Sequence, residues 1–485
     1  MRKEREYMSS ERHELRKVMG RTDVIALAFG SMVGWGWVML AGFWVKEAGV
    51  LGAIGAFILG AIMCIFVGLT YAELTPALPL AGGELVFAYR GLGYFWSWVT
   101  GWAIAFAYVS VAAWESIAVS TAINYVFPIP KIGYLWDIAG YSVFFSWAII
   151  GMLGAIILAV LNYFGAKPAA IFQVMATVGL TSAGIIFIFG GVAFGSLSNM
   201  VPTFTSGAGM VAVLMMAPSM FVGFDVIPQS AEEMNIPLRQ IANVLILSII
   251  MAVSWYILMI IGIAMCAPPE VRDAGAVPVA DSLAYAFNSP TFGKIMIAGG
   301  LCGILTSWNG FIVGGSRVLF AMGRAKMLPP IFGKVHSKYQ TPTAAIILIG
   351  IFCVLSPLLG KNALVWFVNA GAFGTVVAYL MVSTSFIMIR KKEPNLARPF
   401  KVKRGGLAGA GALFTGLFFL YLYLPLGHPG LVWPYEWGFV FIWFAMGAVL
   451  AIAAKGSYAN IPDSERELLM FGEEYARQEI VTTEK

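Results

Sequence analysis

Charged residues are scarce in this sequence. Only 12% of its 485 residues are Asp, Glu, Lys or Arg, whereas a soluble protein usually carries about a quarter. Apolar runs recur along the chain instead, and runs of about 20 residues are long enough to cross the hydrocarbon core of a bilayer. The composition therefore predicts an all-α polytopic membrane protein in a lipid bilayer and excludes a soluble globular protein.

The residue types that form metal and catalytic centres are also few. The chain has four Cys and three His residues; the cysteines form no CxxC pair, and the histidines are widely separated. The phosphate-binding patterns GxxxxGKS and GxxxxGKT do not occur. We therefore expect no metal ion, no cofactor, no catalytic residues and no ATP-driven step, which means that the protein is not an enzyme.

Twelve apolar segments have the length of a transmembrane helix. They lie near residues 23–45, 51–75, 95–125, 141–163, 168–195, 209–232, 240–267, 294–322, 342–359, 363–390, 407–426 and 432–455. We number these predicted spans 1 to 12. The corresponding predicted units are an N-tail (1–22), a first five-helix repeat (23–195), a second five-helix repeat (209–390), helices 11 and 12 (407–455) and a C-tail (456–485).

The basic residues indicate the orientation of these spans. With both tails in the cytoplasm, most of the 31 Lys and Arg residues fall in cytoplasmic segments, as the positive-inside rule requires. We therefore expect a multi-pass protein of the plasma (inner) membrane with cytoplasmic N- and C-termini. Since this topology accounts for the net charge of +6, we expect no nucleic-acid partner.

Two of the spans contain residues that interrupt helices. Span 1 has three glycines in GSMVGWG (30–36), and span 6 has two prolines and a glycine around Asp225 in APSMFVGFDVIPQSAEEMNIP (217–237). Each internal Gly costs about 1 kcal/mol relative to Ala, and Pro removes a helical hydrogen bond. Close helix packing is an alternative explanation for the glycines alone. Paired breaks at equivalent positions of two halves, however, are typical of a transporter's binding site.

Four motifs, in this order, resemble those of the amino acid–polyamine–organocation (APC) transporter superfamily. They are GSMVGWGW (30–37), PLAGGELVFAYRGLG (79–93), VGFDVIPQSAEEMNIP (222–237) and GGSRVLFAMGRAKMLPPIFGKVHSKYQTP (314–342). The resemblance covers nearly the whole chain. It implies a LeuT-type fold, a 5+5 inverted repeat with broken helices 1 and 6, transport by alternating access, and a site between spans 1, 3, 6, 8 and 10.

The sequence departs from the family pattern at two places. Trp35 stands between Gly34 and Gly36, where family members usually have a small residue such as Thr, and it adds bulk beside the break. Proton-coupled members often carry a Lys in span 5 that replaces a sodium ion. Alignment on Gln173 places Leu180 at that position, and a leucine can neither mimic a sodium ion nor carry a proton.

The candidate substrate-binding residues surround the two breaks and the family's pocket positions. They are Ser31, Met32, Val33, Gly34, Trp35, Gly36, Glu115, Phe221, Val222, Gly223, Phe224, Asp225, Trp308, Asn309 and Trp366, with Asn369 as a further pocket-wall candidate. Broken helices free N–H groups that bind carboxylates and carbonyl groups that bind cations. For the Trp and Asn residues of spans 8 and 10, helix packing and interhelical hydrogen bonds are the alternative.

Two carboxylates lie inside predicted spans, where ionisable groups are usually functional. The resemblance places Glu115 of span 3 in the part of the pocket that holds the substrate side chain, where it would attract an amine. Asp225 of span 6 could act as a gate or proton carrier, or could cap the broken backbone. A purely structural role is the alternative for both residues. Glu232 and Glu233 are expected to be solvated or paired with a loop Arg.

The predicted function is a secondary active transporter of amino acids or related organic amines, including polyamines. Coupling by protons carried on Asp225 or Glu115, or simple exchange, is the leading hypothesis. The alternative is a sodium-coupled symporter with a sodium ion at the hydroxyls of Thr306 and Ser307. A transporter-like sensor or a channel remains open as a different class, although channels usually show continuous polar rings.

Overall fold

The computed structural model describes residues 15–275, 277–426, 430–458 and 461–476. Parts of the predicted N-tail (1–14) and C-tail (459–460 and 477–485) therefore lie outside the described residues. The described helices are α1 (Arg21–Met32), α2 (Gly36–Ala77), α3 (Glu84–Leu92), α4 (Tyr94–Val126), α5 (Phe145–Tyr163), α6 (Ala166–Phe194), α7 (Gly207–Leu214), α8 (Ala217–Phe221), α9 (Val226–Gln229), α10 (Leu238–Cys266), α11 (Pro269–Arg272), α12 (Pro278–Ala286), α13 (Pro290–Arg324), α14 (Thr343–Leu355), α15 (Ala363–Lys392), α16 (Gly405–Tyr423), α17 (Tyr435–Ser457) and α18 (Asp463–Tyr475).

The all-α membrane class predicted from composition is confirmed. Among the described residues, nine helices are long and apolar enough to cross a membrane. Helix α2 joins two predicted spans across a kink at Gly49, which has φ +73°. The first half of span 1 (α1) and the pieces of span 6 (α7, α8 and α9) are each too short to qualify, whereas the second half of span 1 belongs to the qualifying helix α2; α14 is also short. The count of twelve spans stays a prediction.

Helix α4 forms the centre of the molecule. Nearly all of its middle turns are buried, and it packs against α3, α5, α13, α14 and α15. Ala, Ser and Gly recur along it and allow neighbouring helices to approach closely. Helices α5, α6 and α17 instead expose apolar side chains, including Ile157 (63% exposed), Met175 (69%) and Ile452 (69%). These surfaces suit contact with lipid.

A short β-hairpin, which the sequence analysis did not predict, connects α4 and α5. Strands β1 (Tyr134–Ile138) and β2 (Tyr141–Phe144) pair in antiparallel fashion around Ala139 and Gly140, both of which have positive φ. Such two-residue turns match the twist of hairpin strands. Hydrogen bonds join the hairpin to the loop between α14 and α15, from Trp136 Nε1 to the Leu358 carbonyl and from Asn362 Nδ2 to the Ala139 carbonyl (both 2.9 Å). The predicted span at 141–163 therefore begins later, with α5.

Both described ends of the chain lie on the same side of the helix bundle, which we call the tail side. The backbone N–H groups of Val18 and Met19 donate to the Glu233 carbonyl (2.9 and 3.0 Å). Helix α18 packs nearby through Phe471, over which the Arg90 guanidinium lies. A cavity of about 540 Å³ lies between three elements. They are the N-terminal segment, the loop that follows α9, and helix α18.

Candidate functional site

The break in span 1 lies at Val33–Trp35, between α1 and α2. The Tyr256 hydroxyl of α10 donates to the Met32 carbonyl (2.7 Å), so one carbonyl freed at the break is satisfied by a side chain. A Cβ on Gly34 would lie 2.6 Å from Glu115 Oε1 and 2.7 Å from Ser307 Oγ. Only glycine therefore allows the backbone to approach these two side chains so closely.

The break in span 6 lies between α8 and α9 and contacts the break in span 1. Gly223 has φ +131°, and a Cβ there would lie 2.7 Å from the Met32 nitrogen. Asp225 holds this turn: its Oδ1 accepts from the Gly223 N–H (2.9 Å), and its Oδ2 accepts from the Tyr379 hydroxyl of α15 (3.1 Å). The predicted pair of helix breaks is thus present, and the two breaks meet in the interior.

A small cavity lies beside the two breaks. Its residues come from spans 1, 3, 6, 7 and 8 and are Ser31, Met32, Gly34, Gly36, Val111, Trp114, Glu115, Ser219, Met220, Val222, Tyr256, Ser307 and Phe311. Its volume is about 20 Å³, which is room for about one water molecule. An amino acid would fit only after side chains such as Met220 and Trp114 withdraw.

Glu115 supplies the carboxylate of this cavity. The side chain is fully buried, and its Oε1 accepts a hydrogen bond from the Ser307 hydroxyl. Its Oε2 has no hydrogen-bond partner among the described residues. A buried carboxylate oxygen without a hydrogen bond is strongly unfavourable. A proton, or a cationic group of a bound ligand, would satisfy Oε2.

Six of the predicted substrate-binding residues line the cavity, whereas Gly223 and Asp225 belong to the adjoining turn of the span-6 break. The six are Ser31, Met32, Gly34, Gly36, Glu115 and Val222. Val33 is buried in the break itself. Phe221 packs against Phe57 and Tyr256, whereas Phe224 packs against Tyr71 and Tyr379.

The structure places the remaining predicted side chains elsewhere. The Trp35 ring lies against Gly300, and Trp308 lies against Gly154. Asn309 accepts from Asn162 Nδ2 (2.9 Å) and donates to Gln173 Oε1 (2.8 Å).

In span 10, Trp366 stacks on Tyr435 with ring centroids 4.1 Å apart. Asn369 donates to Glu436 Oε1 at 2.6 Å. Both side chains thus contact α17 rather than the cavity.

The residues considered for sodium lie close to the first break. The Thr306 hydroxyl donates to the Gly303 carbonyl (2.9 Å), and the Ser307 hydroxyl donates to Glu115. Leu180 of α6 is fully buried and approaches Gly303. A Cβ on Gly303 would in turn lie 2.8 Å from the Gly34 carbonyl oxygen.

Several cavity residues could not be identified from the sequence. Val111, Trp114, Met220 and Phe311 are ordinary apolar residues of apolar spans, and nothing in their spacing distinguishes them. Tyr256 is the exception, since a phenol hydroxyl within the apolar run AVSWYILMI (252–260) requires a hydrogen-bond partner.

Glu232 and Glu233 are buried rather than solvated. The Arg317 guanidinium donates to both Glu233 oxygens (2.8 and 3.0 Å). Glu232 accepts from Arg324 Nη1 at 2.9 Å. The pairing with Arg was expected, but both arginines belong to the end of helix α13 instead of a loop.

Comparison with known proteins gives similarities that extend over both helix breaks. A family model described as amino acid permease matches residues 19–451. The branched-chain amino acid permease BcaP of Bacillus subtilis (strain 168) is 26% identical over 452 residues, which cover 91% of this chain and 94% of that protein. The methylthioribose transporter of Bacillus subtilis (strain 168) is 25% identical over 456 residues, covering 91% and 94%. Cationic amino acid transporter 4 of Homo sapiens is 26% identical over 412 residues, covering 79% and 61%.

Proposed function

Because the chain belongs to the amino acid permease family of the APC superfamily, we propose that it is a secondary transporter that moves amino acids or related organic amines by alternating access. The observation that carries this proposal is the cavity between two broken helices, which contains the unpaired oxygen of Glu115. Polar backbone at such depth is tolerated where it is buried in protein or lines a solvated site.

The first break supplies the binding site for a substrate carboxylate. Helix α2 begins at Gly36, at the edge of the cavity, and the first N–H groups of a helix have no partner within the helix. Their partial positive charge favours an anion. A substrate α-carboxylate would therefore bind at Gly36, with the turn at Gly223 closing the opposite wall.

Glu115 supplies the site for a positively charged group. Its Oε2 would accept a hydrogen bond from an ammonium group of the substrate, and such charge-assisted bonds are about twice as strong as neutral ones. The names of the similar proteins cover branched-chain amino acids, cationic amino acids and methylthioribose. The choice of an amine-bearing solute therefore rests on Glu115 and not on any one relative.

We propose that transport is driven by coupling to protons or proceeds by exchange of one substrate molecule for another. Asp225 and Glu115 are both buried, and neither forms an ion pair with a basic residue among the described parts of the chain. Each can bind and release a proton as its surroundings change. Sodium binding at Ser307 and Thr306 is the competing mode, since both hydroxyl oxygens lie near the first break.

The first test is a binding screen on the purified protein. Branched-chain amino acids, cationic amino acids, polyamines and methylthioribose are added separately, with and without sodium, and the melting temperature is measured. A ligand at about 100 times its Kd stabilises the folded state by about 2.7 kcal/mol. Stabilisation by amine-bearing ligands supports the proposal, and stabilisation only by methylthioribose contradicts it.

The second test separates a transporter from a channel or a sensor. Proteoliposomes are assayed for saturable uptake and for counterflow of the ligand found in the screen. A transporter shows both, a channel shows no counterflow, and a sensor shows binding without uptake. Imposed pH and sodium gradients then distinguish the coupling modes, because a sodium gradient that drives accumulation at equal pH would refute proton coupling.

A further inference from the structure

A second buried carboxylate lies outside the cavity, on the tail side of the span-6 break. Glu84 is the first residue of α3 and is fully buried. Gln229, the last residue of α9, donates to Glu84 Oε2 through its amide. Gln229 lies four positions after Asp225 in the chain, so α9 connects the two carboxylates.

Three tyrosine hydroxyls surround these carboxylates. Tyr379 donates to Asp225 Oδ2 (3.1 Å). The Tyr71 hydroxyl faces Glu84, and the Tyr108 hydroxyl faces Asp225, and all three rings are buried. The ring centroids of Tyr71 and Tyr379 are 5.8 Å apart, so the ring beside Glu84 packs against the ring beside Asp225.

Several polar atoms of this group lack a good hydrogen bond. They are Glu84 Oε1, Gln229 Oε1 and the hydroxyls of Tyr71 and Tyr108, none of which forms a hydrogen bond of good geometry with a described residue. Leaving such a group unsatisfied in a protein interior is unfavourable. The group around Asp225 and Glu84 therefore contains both acceptors and donors that are not engaged in strong hydrogen bonds.

The charge of the two acids is not balanced by a basic side chain. The titratable groups that face them are each other, the three tyrosines and the Cys64 thiol. The described residues give neither Glu84 nor Asp225 a salt bridge. Since two adjacent buried carboxylates repel each other when both are ionised, the pair requires a cation, and a proton is the smallest one.

The position of Glu84 connects the centre of the membrane with the tail side. The N–H group of Ala81, three residues before Glu84, donates to Glu232 Oε2 (3.0 Å). Glu232 belongs to the tail-side ion pairs and lines the tail-side cavity. Glu84 thus lies between the span-6 break and the face where an ion would leave.

We propose that Glu84 is a second proton-binding residue of the transport cycle, which takes a proton from Asp225 and passes it toward the tail side. In this step the O–H bond at Asp225 breaks and an O–H bond forms at Glu84 Oε1. The negative charge moves from Glu84 to Asp225, and the Tyr108 and Tyr71 hydroxyls bridge the gap. No further reactant is needed. The inference rests on the proposed function, since it requires proton coupling.

The experiment compares two readouts of Glu84→Gln in proteoliposomes. Counterflow measures substrate binding and movement without net proton transfer, whereas accumulation under a pH gradient requires net proton transfer. At one proton per substrate, a gradient of about one pH unit supports about tenfold accumulation. We expect Glu84→Gln to keep counterflow but lose the accumulation, and Glu84→Asp, which retains a carboxyl group, to keep both.

A matched control is Glu436→Gln. Glu436 is also a buried carboxyl group, and it accepts from Asn369 Nδ2 and from the Val432 N–H (2.6 and 2.7 Å), away from the proposed path. This variant should accumulate substrate as the parent does. If Glu436→Gln accumulates substrate normally, the loss of accumulation in Glu84→Gln is specific to Glu84 and is not a general effect of neutralising a buried carboxyl group.

The outcomes separate this inference from the proposed function. If the parent shows no pH-driven accumulation, proton coupling itself is wrong, and the inference fails with it. If the parent accumulates substrate and Glu84→Gln does so equally, only the inference is overturned. Loss of counterflow in a folded Glu84→Gln protein also overturns it, because Glu84 would then serve substrate movement.

An infrared measurement covers the case in which Glu84→Gln does not fold. Difference spectra with and without substrate are recorded for the parent and for Glu84→Asp. A carboxylic-acid C=O band that changes position in Glu84→Asp supports the proposal. An identical band in both proteins assigns the proton to another residue and refutes it.

Discussion

A methyl group at position 34 should weaken substrate binding while leaving the protein folded. A Cβ on Gly34 would lie 2.6 Å from Glu115 Oε1 and 2.7 Å from Ser307 Oγ, whereas ordinary van der Waals contact begins near 3.4 Å. In Gly34→Ala, both side chains must therefore retreat and disturb the hydrogen bond that they share. The change falls at the point where the first break meets the carboxylate of the cavity.

The size of the effect follows from packing energetics. Forcing an extra methyl group into a packed interior costs about 1–3 kcal/mol. When a bound substrate holds Glu115 in place, the strain falls on the complex, and the Kd rises about 5- to 150-fold because about 1.4 kcal/mol is a factor of ten. At Gly36 the nearest atoms are the flexible end of Met220, at 3.1 and 3.2 Å. Gly36→Ala should therefore raise the Kd less.

The assay is calorimetric or thermal-shift titration of the ligand found in the screen. Gly406→Ala is the control, because nothing lies within 4 Å of a Cβ at that exposed position. Size-exclusion profiles establish that each variant is folded. A folded Gly34→Ala protein with the parent's Kd would refute the assignment of this cavity as the substrate site.

Three further predictions concern other parts of the molecule. Glu115→Gln should lower affinity for amine-bearing ligands about 10- to 150-fold, since hydrogen bonds to charged groups contribute about 1.5–3 kcal/mol; equal Kd values for the variant and the parent would make Glu115 structural. Arg317→Met should destabilise the folded state by about 3–5 kcal/mol because Glu233 is left buried and unpaired, and adding Glu233→Gln should recover part of that loss; additive effects in unfolding measurements would contradict the pairing. Trp366→Phe should leave the substrate Kd unchanged because this ring stacks outside the cavity, and a large loss of affinity would place the substrate elsewhere.

The helix breaks could be predicted from the sequence because Gly and Pro act on the backbone where they stand. Two further observations agree with the resemblance to the transporter family: the two breaks contact each other, and Glu115 is fully buried. Trp114 and Tyr256 could not be placed, because the face that a residue of a buried helix presents depends on its neighbours. Glu232 illustrates the same limit: its place at the end of span 6 predicted a solvated side chain or a loop Arg as its partner, whereas it is buried and paired with Arg324 of α13.

Helix α2, which covers parts of two predicted spans, and the β-hairpin show a different limit of prediction from the sequence. A single residue, Gly49, turns the chain between two spans, and the N–H groups of Val50 and Leu51 then donate to the carbonyls of the 202–203 connection instead of within a helix. Because so short a kink interrupts no apolar run, hydropathy alone places the boundary poorly. The strands between α4 and α5 lie in a connection that is neither long nor strongly alternating in polarity. Short hairpins of this kind depend on tertiary support, which the sequence does not display.

The hairpin has a mechanical consequence for the side of the protein opposite the tails. Its bonds from Trp136 to the Leu358 carbonyl and from Asn362 to the Ala139 carbonyl cross between two connections that are distant in sequence. These bonds tie the outer ends of α4, α5, α14 and α15 together. We therefore expect an opening toward that side to come from elements that these bonds do not hold, which include both broken helices.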